Sequence, residues 1–188
     1  MLLAAAGTAW AADAVPGRMD AARQAYQRGE VARAALELQS ALIELHERLG
    51  KGFAEMMPAP LAGWQAEPAE VQGLGEVGGG LSVTRAYLKS DSSMNASLIL
   101  DSPAVAAAAA LFTTPAAAAA QANLRPVKVG SENALLRYDA ANKAGEITLV
   151  LNNRVLLHIE GDNLSSGDPL VEVAKGWNFA GIRKLAGV

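Results

Sequence analysis

Residues 146–160 read EITLVLNNRVLLHIE: two five-residue apolar runs, 147–151 and 155–159, on either side of Asn152-Asn153. Paired asparagines tolerate the positive φ that a two-residue hairpin turn requires. Runs that are apolar at almost every position, rather than at alternate ones, belong to strands covered on both faces. The stretch therefore predicts a central antiparallel hairpin, with Leu149, Leu151, Val155, Leu157 and Ile159 buried and the two asparagines at its tip.

Working outward, segments 125–129 and 133–138 precede this hairpin across Gly130-Ser131 and the loop 139–145, which makes a four-strand meander. Upstream, Leu81, Val83, Arg85 and Tyr87 alternate with smaller residues. After a turn at 89–92, Ala96, Leu98 and Leu100 complete a second hairpin. Asp101-Ser102-Pro103 has the chemistry of a helix start, since either oxygen-bearing side chain can cap free amides and proline suits the first helical position. An alanine-rich helix should follow to about residue 112, and a second alanine run beyond Thr113-Thr114-Pro115 ends near Asn123. A terminal helix should begin at Asp168-Pro169 and carry Leu170, Val173 and Ala174, with Trp177, Phe179 and Leu185 packing beyond it. The fold class expected is α+β, with an antiparallel sheet of about six strands over 81–188 flanked by helices on both faces.

Ahead of the sheet, residues 15–57 read as a helical hairpin. Val31, Ala35, Leu38, Leu42, Leu45, Leu49 and Met56 follow a 4-3 alternation that places them on one stripe. Gly50, Gly52, Pro58 and Pro60 should end that helix. Residues 58–80, rich in glycine and proline, read as a connection, with Trp64 plugging the junction. Within the hairpin, GEVARAALELQSAL over 29–42 resembles half of a tetratricopeptide unit, with Ala34 and Ala41 where two helices would approach closely. Such units need neighbours to bury their faces, and no second copy is present in the sequence. The stripe is therefore expected to pack on the chain's own core. The other reading makes Leu38, Leu42, Leu45 and Leu49 a stripe that binds a partner's helix.

Residues 1–14, MLLAAAGTAWAADA, read as a signal-peptide remnant, because Ala9 and Ala11 supply the small side chains that signal peptidase requires. Cleavage before Ala12, or else before Val15, would release a mature chain of roughly 175 residues. The missing basic n-region places the expected start codon upstream of Met1. The address implied is the periplasm. With no cysteine, disulfides and thiolate metal sites are excluded, and stability must come from apolar burial. A net charge of −3 and a pI near 5.4 leave no electrostatic footprint for nucleic acid or anionic lipid, and no segment has the length of apolar sequence a membrane span needs.

Reactive chemistry is sparse. His46 and His158 are the only histidines; the first sits beside the helical stripe and the second within an apolar strand, positions suited to a surface and a sheet-face imidazole. Gly73-Leu74-Gly75-Glu76-Val77-Gly78 matches a dinucleotide-binding fingerprint, but a strand rather than a helix should follow it. The oxygen-rich loop 162–168 lacks the spacing of a calcium hand and is accounted for by a helix start, and Asp101 and Asp139 lie at element boundaries, where turn chemistry suffices. No catalytic residue, cofactor or metal is expected.

The segments GGGLSVTRAY, LILDSP and NNRVLLHIEG, with the terminal helix, resemble a family of small exported proteobacterial proteins of unassigned activity. In outline the arrangement is also similar to the PsbP/Mog1-type α/β/α sandwich, and that resemblance implies a binding or assembly module. The function expected is a non-enzymatic periplasmic interaction protein that binds an envelope partner. The alternative is a carrier holding a small apolar or lipid-like ligand where the alanine-rich helix meets the sheet.

Overall fold

The computed structural model describes residues 13–113 and 123–188. The stretch 1–14, expected to be a signal-peptide remnant, lies outside the described residues apart from Asp13 and Ala14, as does most of the second alanine run. The chain divides into two compact units, the first ending at His46 and the second spanning Glu47–Val188.

The first unit is a pair of helices, α1 (Ala14–Gln27) and the greater part of α2 (Val31–Ala54). Asp13 accepts a hydrogen bond from the Val15 amide at 3.1 Å and so caps the first turn of α1. Gly29, at φ +77°, turns the chain between the helices. Ala22, Ala25, Ala34 and Ala41 are all buried, so the seam is made of the smallest side chains that can bring two helices close together. Arg18 pairs with Glu37 across the seam at 3.5 Å.

The second unit is built on an antiparallel sheet of eight strands: β1 (Gln65–Ala66), β2 (Glu70–Gly73), β3 (Leu81–Lys89), β4 (Ser92–Leu100), β5 (Leu124–Val129), β6 (Glu132–Asp139), β7 (Ala144–Leu151) and β8 (Val155–Asp162). Their order is β1-β3-β4-β8-β7-β6-β5, and β2 pairs beside β1 on the same edge of β3. The α+β class and both expected hairpins are as the sequence reads. The additional strands, β1 and β2, come from the stretch expected to be only a connection. Glu70, Val71 and Gln72 there pair with Thr84, Val83 and Ser82.

Asn152 and Asn153 adopt φ of +50° and +54° at the tip of β7–β8. Leu149, Val155, Leu157 and Ile159 are completely buried, and Leu151 nearly so. Their face is covered by α4 (Asp168–Lys175) and α5 (Phe179–Ala186), through Leu170, Val173, Ala174 and Ile182, together with Phe53 from the end of α2. The terminal helix is thus two helices rather than one. Gly167, not Asp168, precedes α4, and the Ser166 hydroxyl accepts from the Asp168 amide at 3.2 Å.

On the other face lies α3 (Pro103–Thr113), which touches β4, β7 and β8 and buries Val105. It starts where expected, with the Ser102 hydroxyl near the Ala104 amide at 3.4 Å. The Asp101 carboxylate is engaged elsewhere: both its oxygens accept from Arg154, at 2.8 and 2.6 Å, while the same guanidinium donates to the carbonyl of Ala186 at 3.0 Å.

Gly50 and Gly52 do not end α2; they lie inside it and are needed for packing. A Cβ on Gly50 would fall on the side chain of Val71, and one on Gly52 would come within 2.7 Å of Leu185. Bare backbone at these points lets the last turns of α2 lie against β2 and α5.

Tyr87 is fully buried and donates its hydroxyl to the carbonyl of Pro58 at 2.7 Å. Burial raises its pKa to about 12. An unfolded tyrosine ionises near pH 10, so above that pH the unfolded chain gains a stabilisation that the folded chain resists. This contribution to stability is complete below pH 10 and is lost between about pH 10 and 12. The denaturant midpoint of the wild type should therefore fall across that window, and the Tyr87→Phe protein should show a smaller fall. Equal falls in the two proteins would remove Tyr87 from the alkaline transition.

Candidate functional site

The heptad pattern of α2 separates two faces. Ala34 and Ala41, buried against α1, lie one position before Ala35 and Leu42, so the alanine seam runs beside the leucine stripe and does not cover it. Leu38, Leu42 and Leu45 remain 53%, 50% and 41% exposed, and Val31 61%. The expected packing of this stripe on the chain's own core holds only for its last part. Leu49 is partly buried against the sheet unit's core, while Leu38, Leu42 and Leu45 are open.

Met19 and Tyr26, 55% and 69% exposed, carry the apolar face from α2 onto α1. Between the helices is a groove of about 270 Å³ bordered by Met19, Ala22, Tyr26, Ala34 and Leu38, with Arg23 at its side. The neighbouring charges are paired within the hairpin: Arg23 with Asp20 at 2.9 Å, Arg28 with Glu30 at 2.7 Å, and Arg33 with Glu30 at 3.5 Å. Arg28, foremost through its hydrogen bond, holds the Glu30 carboxyl below its ordinary pKa. The result is an apolar face whose surrounding charge is largely neutralised. It can bury apolar surface of another chain and carries no group suited to bond making or breaking.

His158 lies on the α3 side of the sheet, opposite Thr148 on β7. Its Nδ1 is 3.1 Å from the Thr148 hydroxyl and its Nε2 3.8 Å from Glu146, which is in turn 2.9 Å from Arg137 on β6. A hydroxyl, an imidazole and a carboxylate are thereby aligned, as nucleophilic catalysis requires. An acyl-transfer site also needs N–H donors aimed at the developing oxyanion, and here the strands on both sides are paired into a ladder. The row serves as a cross-strand polar ladder. His46 is half-buried on α2, and among the described residues no group of three or more histidines, cysteines or acids is placed so that it could hold a metal ion.

A polar hollow of about 390 Å³ opens at the end of β6–β8, where Asp139, Glu146, Glu160 and Asp162 lie near Arg137. Asp139 is engaged within its own turn, accepting from the Asn142 side chain at 2.7 Å and the Ala141 amide at 2.9 Å, and these bonds hold its pKa below the ordinary value. The 162–168 loop is similarly committed. The Ser92 hydroxyl donates to the Asn163 carbonyl at 2.8 Å, and the Tyr138 hydroxyl donates to that of Leu164 at 2.7 Å. The glycine run 73–80 is the turn of the β2–β3 hairpin. Its amides at Leu74 and Gly79 bond within the turn, to Gly80 and Leu74, and a strand follows.

The sequence stripe named Leu38, Leu42, Leu45 and Leu49 but missed Met19 and Tyr26. Their signal was present: Met19, Ala22 and Tyr26 recur at 3-4 spacing on α1. Comparison of the chain with protein-family models, curated proteins and solved structures finds no match in any of the three.

Proposed function

We propose that this chain is a non-enzymatic interaction or assembly protein of the periplasm, which binds an envelope partner through the apolar face of its N-terminal hairpin. The observation that carries the reading is the exposure of Leu38, Leu42 and Leu45 on a helix that already has its structural neighbour. Large side chains left in water along a continuous stripe favour association over solvation. The carrier reading, which places an apolar ligand where the alanine-rich α3 meets the sheet, is less well supported, because Val105 of α3 and Leu156 of β8, the strand it touches, are already buried.

Replacing Leu42 and Leu45 together by serine tests the proposal. Both side chains are exposed, so the urea midpoint read from tryptophan fluorescence should move little, within the ±0.5 kcal/mol typical of surface changes. In-cell cross-linking should meanwhile lose the adduct formed by the wild-type chain. A large drop in midpoint would show that the stripe is part of the fold, and an undiminished adduct would place docking elsewhere.

A further inference from the structure

We infer that the open face of the hairpin is occupied by the same face of a second copy, with the two α2 helices antiparallel. This rests on the reading of the hairpin as a docking element and narrows its partner to the chain itself. The exposed stripe has the 3.5-residue repeat of a coiled-coil seam, which is filled by a helix bearing a matching repeat. Val31, Leu38 and Leu45 form one set of seam positions, and Ala35 and Leu42 the other. In the antiparallel arrangement a position of one set must meet a position of the other. A two-fold axis at Ser40 does this over the open middle of the stripe, placing Leu38 on Leu42 of the second copy and Ala35 on Leu45.

Charge and area fit the same arrangement. In a two-fold interface each side chain near the axis meets its own kind, so an uncompensated charge would repel itself. Here Gln39 meets Gln39 and Ala32 meets His46, while residues 13–46 carry five acids against four arginines, a net charge of −1. From their fractional exposures, Val31, Leu38, Leu42, Leu45, Met19 and Tyr26 present roughly 700 Å², close to the ~800 Å² that each partner contributes to a standard stable interface. Two alanine-seamed hairpins joined along α2 would form a four-helix bundle.

Sedimentation equilibrium of the full chain at tens of micromolar should report a dimer. The Leu38→Glu/Leu42→Glu protein should be a monomer with unchanged helicity and tryptophan fluorescence, its dissociation constant raised about a hundredfold or more. Because the chain has no cysteine, an equimolar mixture of Leu38→Cys and tagged Leu42→Cys chains should form a mixed disulfide faster than either chain links to itself. Faster self-linking would mean parallel helices and overturn the pairing, as would a dimer indifferent to the two glutamates. A monomeric wild type overturns it as well. If such a monomer still yields an envelope adduct that is lost on the Leu42→Ser/Leu45→Ser change, the docking reading survives with a different partner.

Discussion

Leu157→Ala should destabilise the sheet unit by about 3–5 kcal/mol, the upper part of the range for removing a buried leucine. Leu157 is wholly buried and paired with Leu98 on one side and Leu149 on the other, all three lying in one core cluster. The cavity would open between the middle of the sheet and the helices that cover it, above strands held in place by ladders on both sides, so the backbone beneath cannot collapse to fill it. The urea transition, followed by tryptophan fluorescence, should shift to lower denaturant with little change in slope. A loss below about 1 kcal/mol at both Leu157 and Leu149 would be incompatible with strands at the centre of the fold.

Gly80→Ala should be comparably damaging for a different reason. Gly80 adopts φ +92°, a conformation L side chains rarely take, and a Cβ there would fall on the carbonyl oxygen of Leu100, with the Asp101 carbonyl oxygen 2.8 Å away. Both obstacles are backbone, so no rotamer change relieves them. Backbone strain and overpacking together should cost about 3–5 kcal/mol. Gly79→Ala is the informative control. Its φ of +101° is strained as well, but nothing lies within 4 Å of the added carbon. Its cost should therefore be the conformational part alone, about 1–3 kcal/mol. Equal losses at the two positions would show that the contact with Leu100 does not matter.

The sequence disclosed the parts of the fold in which local pattern and tertiary role coincide. The runs 147–151 and 155–159 are apolar because both faces are covered, and the asparagines between them have the positive φ their side chains tolerate. Its signals weakened where a residue's role depended on something distant. Gly50 and Gly52 look like helix terminators until Val71 and Leu185 are seen against them. Residues 70–73 have no strand pattern and are exposed throughout; β3 supplies their pairing. Asp101 resembled a cap, but the guanidinium that claims it comes from 53 residues away.

The exposed apolar face of the hairpin was half legible for a related reason. A 4-3 repeat reveals that a helix has an apolar side but not what covers that side. Such a repeat is equally compatible with burial in the protein's own interior. In the hairpin the buried positions are Ala22, Ala25, Ala34 and Ala41, and the leucines beside the last two stay exposed. His158 shows the converse. Its apolar neighbours in sequence indicated a sheet-face imidazole, whereas its row of polar partners, Thr148, Glu146 and Arg137, arises only through strand register.

The order of the strands also sets a timetable. β3–β4 and β5–β8 are built from hairpins whose partners are near in sequence, but the join between β4 and β8 brings Leu98 to Leu157, 59 residues further along. Closing so long a loop forfeits chain entropy before any contact across the join compensates for it. The local hairpins are thus in a position to form first, and the middle of the sheet to knit last, on the slow side of the folding-rate scale for non-local topologies. Until that moment β4 and β8 each present a raw strand edge, β4 carrying leucine and isoleucine and β8 leucine, valine and isoleucine. The newly made chain is at its most vulnerable during this interval, and its yield depends on how crowded its surroundings are while the two halves of the sheet are still apart.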